Sequence, residues 1–128
     1  MAVNIEPILT HTQAAGVDLS GSQYFAVSLD DGGISVNGAE AGGILLNKPK
    51  TGEAARIGVL GFMKFRAGGG TIAKDAWLTV TTSGYCVTAG SGYHLVGKCR
   101  AAVTSGSIGT GVFNFINPPY AESSMGVL

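Results

Sequence analysis

RIGVLGFMKFRAGGGTIAKDAWLTVTTSG, residues 56–84, is the stretch whose reading decides the fold. It opens with a largely apolar run over residues 57–65, breaks at Ala67-Gly68-Gly69-Gly70, and resumes over 77–82. A run this short with Gly58 and Gly61 inside it makes a poor helix and a fair strand, because glycine weakens a helix interior. On a pleat, Ile57, Val59, Met63 and Phe65 share one side, and Leu60, Phe62, Lys64 and Arg66 the other. The strand is expected to start buried on both faces and to end with one face in water. That is how a strand leaves the middle of a small closed or sandwiched sheet.

The same grammar extends outward. β-branched and aromatic residues cluster in short runs bounded by Gly, Asn, Asp and Ser, and amphipathic helix periods are missing. Upstream, residues 23–29 alternate, with Phe25, Val27 and Leu29 on one side. Asp30-Asp31-Gly32-Gly33 reads as a turn, residues 34–36 as a returning hairpin strand, and Asn37-Gly38 as a second turn. Residues 43–46 read as a short strand before a polar, exposed segment at 47–53. Downstream, 68–75 reads as a loop with one helical turn near Ala73. Strands are expected at 77–82, 85–88, 93–103 and 111–116, and Asn117-Pro118-Pro119 ends the sheet. In the long strand at 93–103, Leu95, Cys99, Ala101 and Val103 are expected to face one way.

The chain therefore reads as a single all-β domain, a small barrel or sandwich over residues 23–116. An N-terminal arm (1–22) and a C-terminal tail (117–128) flank it. Apolar residues in these extensions, Val3, Ile5, Ile8 and Leu9 in the arm and Tyr120 and Met125 in the tail, are the candidates for contact with a neighbour.

Composition narrows function. Of 128 residues, 12% are charged, about half the usual share for a soluble domain. The eight basic and eight acidic residues cancel. Such a neutral surface argues against nucleic acid or an anionic membrane as partner and suits association with protein. No apolar run approaches the roughly 20 residues that cross a bilayer as a helix. Cys86 and Cys99 are expected as free thiols, since MAVNIEPILTHTQ has neither the basic start nor the apolar core of a signal peptide.

Catalytic and metal signatures are not apparent. His11 and His94 lack HxH or HxxxH partners, and the cysteines lack CxxC spacing. There is no GxSxG elbow. The triple glycine is followed by Thr71-Ile72, not the Lys-Ser/Thr of a phosphate loop. No cofactor, metal or enzymatic activity is expected. A glycan-binding module using Trp77, Tyr85 and Tyr93 is the alternative to a structural role.

One resemblance sharpens this reading. The segments GILLNKPKTGEAARIGVLGFMKFRAGGGTIAKDAWLTVTTSG and HLVGKCRAAVTSGSIGTGVFNF resemble the decoration, or cement, proteins of tailed-phage heads. The matching features are the turn Thr51-Gly52-Glu53, Gly61 with Lys64, and the connection through Gly70, Ile72 and Leu78. Val96-Gly97 with Ala101, and the glycine-led strand from Gly111 to Phe115, complete the pattern. Lys98 stands where that family has a small residue, and the first forty residues are unmatched. The resemblance implies a β-barrel or β-tulip, made in the host cytoplasm, that binds the outer capsid surface. It also implies a homo-oligomer, commonly a trimer, bridging neighbouring major capsid proteins.

Overall fold

The computed structural model describes residues 7–29, 33, 35–36, 41–90 and 94–116. Among these the chain forms nine strands and no helix: β1 (Pro7–Ala14), β2 (Ala26–Ser28), β3 (Ser35–Val36), β4 (Ala41–Leu45), β5 (Ala54–Arg66), β6 (Trp77–Val80), β7 (Cys86–Thr88), β8 (Gly97–Cys99) and β9 (Ile108–Asn114). They form one antiparallel sheet in the order β3-β2-β4-β5-β9-β8-β6-β7, with β1 also on β5. The sheet then curls back on itself. Ala67, just beyond β5, bridges to Cys86 of β7 in parallel, and the Gly68 N–H donates to the Cys86 carbonyl at 3.0 Å. Strands β5, β9, β8, β6 and β7 thus enclose a small, nearly closed barrel. The all-β expectation holds.

β5 is long enough to serve two neighbourhoods, and its hydrogen bonds show how. Early in the strand the Ala15 N–H donates to Glu53 O just before β5, and the Leu46 N–H to Arg56 O. Further along, the Phe115 N–H donates to Val59 O, and the Arg66 N–H to Tyr24 O. β1 and β4 flank β5 on opposite edges at Ile57 and Gly58, which pair with both. β1 and β9 flank it on opposite edges at Leu60 and Gly61, which likewise pair with both.

Ala55, Ile57, Met63 and Phe65 are buried, while Arg56 and Lys64 are exposed. The expectation that Ile57 and Met63 share one side of a single pleat is corrected. Gly58 pairs with Ile44 of the barrel core, and a Cβ on it would meet the Met63 sulfur, whereas Ile57 pairs with Leu45 of the second core. The β1 register shift takes in one extra β5 residue between Gly58 and Leu60, and such a bulge reverses the faces of the strand beyond it. Phe62 is exposed, so water reaches its side of the strand earlier than expected. The barrel core gathers Met63, Phe65, Leu78, Cys86, Val96, Cys99, Phe113 and Phe115. Phe65 meets Phe113 edge-on at 5.6 Å, and Phe113 lies parallel to Phe115 at 5.7 Å. A second, smaller core of Ala15, Leu19, Val27, Leu45, Ala55 and Ile57 lies under the first half of β5.

Other departures have local causes. Residues 93–103 do not form one long strand; β8 is limited to Gly97–Cys99. Leu95 and Val96 are both buried and Ala101 is exposed, so alternation fails there. The Cys99 thiol donates to the Ala101 carbonyl two residues on, in a bend that redirects the chain. The helical turn expected near Ala73 is a simple turn, closed by the Ala76 N–H on Ala73 O. β2 is shorter than its alternating run and buried throughout, being paired on both edges, by β3 and β4. β9 begins at Ile108, three residues before the expected start at Gly111. The hairpin of 34–36 on 23–29 is present as β3 on β2. Most of its expected Asp-Asp-Gly-Gly turn lies outside the described residues.

The segment expected as an arm lies along β5 within its own chain. β1 pairs from Ala14↔Ala54 to Pro7↔Gly61, and Leu19 is buried, its N–H donating to Pro49 O at 2.9 Å. Gly61 permits this attachment. Its φ is 116°, and a Cβ there would sit 2.6 Å from the Ile8 amide nitrogen, a separation no side chain tolerates. The β1 register shifts at the same place. Gly61→Ala is expected to destabilise the domain by about 1–3 kcal/mol, through backbone strain and displacement of β1. In hydrogen exchange, amides of β1 should lose protection before those of β9.

Candidate interaction surface

The outer wall of the barrel carries an unusual row of side chains. Register places Trp77 of β6 beside Lys98 of β8, Lys98 beside Val112 of β9, and Val112 beside Phe62 of β5. Cross-strand neighbours of this kind lie about 5 Å apart at Cβ, so the four residues form one continuous stripe. All four are exposed, with Trp77 and Phe62 each at 38% and Val112 at 43%. A barrel strand that alternates inward and outward normally turns polar residues to this side. Here it turns two aromatics and a valine.

Cations are arranged around the rings. Lys98 Nζ lies 5.4 Å from the Trp77 ring centre, and the Arg100 guanidinium 5.1 Å from that of Phe62. The Arg100 N–H donates to Thr110 O, and Thr110 pairs with Lys64, which forms a second row beside the first. Lys64 Nζ is 5.9 Å from the Tyr24 ring. Tyr24 reaches that position with φ of 72°, a conformation uncommon for a bulky residue. Two backbone bonds hold it, from its own N–H to Leu45 O at 2.7 Å and from the Arg66 N–H to its carbonyl at 3.0 Å. Such cation–ring contacts contribute roughly 0.5–1 kcal/mol each at exposed sites and restrain long side chains.

Beside the stripe is a cleft of about 780 Å³. Trp77, Lys74, Asp75, Lys98, Arg100 and Val112 are among its lining residues. Asp75, with φ of 66°, turns the chain at its rim, its N–H held by Cys99 O at 2.9 Å.

Of the contact residues expected from sequence, Ile8 is 80% exposed and Leu9 46%; Val3, Ile5, Tyr120 and Met125 lie outside the described residues. Leu9 pairs with Leu60, which also lines the cleft. Ile116, 59% exposed, follows Phe115 near the middle of β5, where β1 begins. Sequence reading missed Phe62, Val112 and Ile116 as surface residues, because each sits in a run that looks like core. Of the aromatics considered for glycan stacking, Trp77 is exposed, Tyr85 is half-buried with its ring 5.0 Å from Phe25, and Tyr93 is outside the described residues.

Among the described residues, no group of three or more His, Cys, Asp or Glu side chains is placed to hold a metal, and no helix is long and apolar enough to cross a membrane. Both thiols are free and buried. Burial, reinforced by the neighbouring Cys99, pushes the Cys86 thiol far above its ordinary range, and burial likewise raises Cys99.

No family model matches the sequence, and no curated protein matches it. The fold is nevertheless shared with a solved structure, that of the N base of head fiber gp8.5 in bacteriophage phi29. The superposition has a TM-score of 0.59 and 15% identity, and covers 84% of this chain and 94% of that one. At this identity the likeness is one of fold.

The thiols give a pH prediction. Cys86 is held protonated in the fold, whereas unfolded thiols ionise near pH 8.5. The stability tied to it is complete below about pH 8.5 and is lost as pH rises beyond it, at up to ~1.4 kcal/mol per pH unit; Cys99, also raised, acts in the same direction. The urea midpoint should decline above pH 9, and less steeply in Cys86→Ala, once its lower baseline is allowed for. Native protein should react with a thiol reagent only as it unfolds.

Proposed function

We propose that this chain is a structural protein of a phage virion, seated on the outside of the head, where it cements neighbouring major capsid proteins. The observation that carries this reading is the fold, which nearly spans the base of a phage head fiber. Two features support it. The surface bears large apolar residues on a chain of low charge content and no net charge, the composition of a protein that works by contact. The sequence pattern from Gly43 to Phe115 resembles head decoration proteins.

In this role the work is mechanical. Each copy contributes a modest interface, and many copies on one shell add through multivalency. Copies associate with one another, a trimer being the favoured state. Ile8, Leu9 and Ile116 supply apolar surface for that association near the middle of β5. The chain performs no reaction and needs no cofactor.

Two measurements test this. Heads carrying the protein should rupture at a higher temperature than matched heads without it; equal rupture temperatures would remove the cementing role. Light scattering on purified protein should give a trimer mass, and Ile8→Glu with Leu9→Glu should shift it to monomer at micromolar concentration. A wild-type monomer would leave the oligomer without support.

A further inference from the structure

We propose that the Trp77–Lys98–Val112–Phe62 stripe, with Arg100 and Lys64 beside it, docks onto a carboxylate-bearing protein surface of the head shell. The inference rests on the head-surface reading above and names the face and the chemistry of its partner.

Charge placement argues for the partner. Lys64, Lys74, Lys98 and Arg100, four of the eight basic residues, gather on this wall or at its cleft, where Asp75 is one of eight acidic residues. Among the described residues the wall and its cleft therefore carry a net charge of +3. A protein with no net charge has no long-range pull of its own, but a local cluster of cations favours an anionic surface once the two faces are close.

The apolar residues argue for protein over sugar or nucleic acid. Sugars and bases recognise an aromatic residue by lying flat on its ring. Here Lys98 lies over Trp77 and Arg100 over Phe62, so a stacking ligand would have to compete with a cation for each ring. Protein interfaces use the same elements differently. Trp and Arg anchors at the centre contact apolar groups of the partner, and the cations, already restrained over the rings, meet carboxylates at the edge. The antiparallel wall of four strands holds these groups in fixed register, so little ordering is needed on contact.

The test uses the full chain and heads, prepared without this protein, of the phage that carries it. Wild-type protein should bind, more weakly as salt rises. Lys98→Glu with Arg100→Glu should lower affinity at least tenfold and flatten the salt dependence. Lys48→Glu with Lys50→Glu makes the same charge change in the exposed turn that packs beside Leu19 and Glu53 and should bind like wild type. The milder Lys98→Gln with Arg100→Gln should give an intermediate loss, and unchanged thermal melts would establish that each variant folds. Equal binding by wild type and the Lys98/Arg100 reversal overturns this inference and leaves head binding intact. Equal losses in both reversals overturn it too, since net charge alone would then be at work. Binding to a neutral glycan that Trp77→Ala abolishes would reassign the face to sugar. If wild-type protein does not bind heads at all, the head-surface reading fails, and this one with it.

Discussion

Hydrogen bonding along both edges of β5 is the constraint on which the structure depends. Thirteen residues in one extended segment cannot be satisfied by a single neighbour here, because the other strands are shorter. The chain supplies neighbours in succession, β1 opposite β4 on the first half, then β9 on the second half with the Tyr24 backbone at its end. A bulge within β5 then divides the cores. Ala55 and Ile57 pack with Leu45 in the small core, whereas Gly58, paired with Ile44, faces Met63 and the barrel. Beyond the bulge Phe62 and Lys64 are exposed, and the candidate interaction surface lies across β5, β9, β8 and β6.

Much of this was legible in sequence because period two is a strong signal when one face is buried. Met63, Phe65 and Lys64 took the faces that alternation assigns, whereas Ile57, buried as expected, enters the other core because one extra residue between Gly58 and Leu60 reverses the pleat. Legibility failed where the chain bends. The run from Leu95 to Val103 alternates on paper, yet only Gly97–Cys99 is strand: Val96, before it, is buried beside Leu95, and the Cys99–Ala101 bend after it leaves Ala101 exposed. Residues 7–22 read as an arm because Pro7 and irregular apolar spacing conceal a strand. Its order comes from pairing with β5 across the domain, which no local window contains. The candidate surface was hidden for a related reason. Phe62 and Val112 look like core until the register places them side by side on the outer wall.

The pairing of rings with cations gives the low-charge composition a physical meaning. Lys64, Arg66, Lys98 and Arg100 each lie over a ring, on Tyr24, Phe25, Trp77 and Phe62 respectively. Arg66 is the innermost of them; its Nε is buried without a hydrogen bond. A cation over a ring partly covers apolar surface with its own methylenes and keeps its charged end in water. Two exposed aromatics are thereby kept compatible with solubility. A surface built this way resists casual sticking and still holds apolar area for a partner able to displace water from it.

The seam between β5 and β9 also bears on how the molecule comes into being. Its two sides are separated by about fifty residues, and closing so long a loop slows folding. During synthesis the inward-facing Met63 and Phe65 emerge well before Phe113, the ring that packs against Phe65. The barrel can therefore shut only after nearly the whole chain has left the ribosome, and assembly of the domain is a late, concerted event.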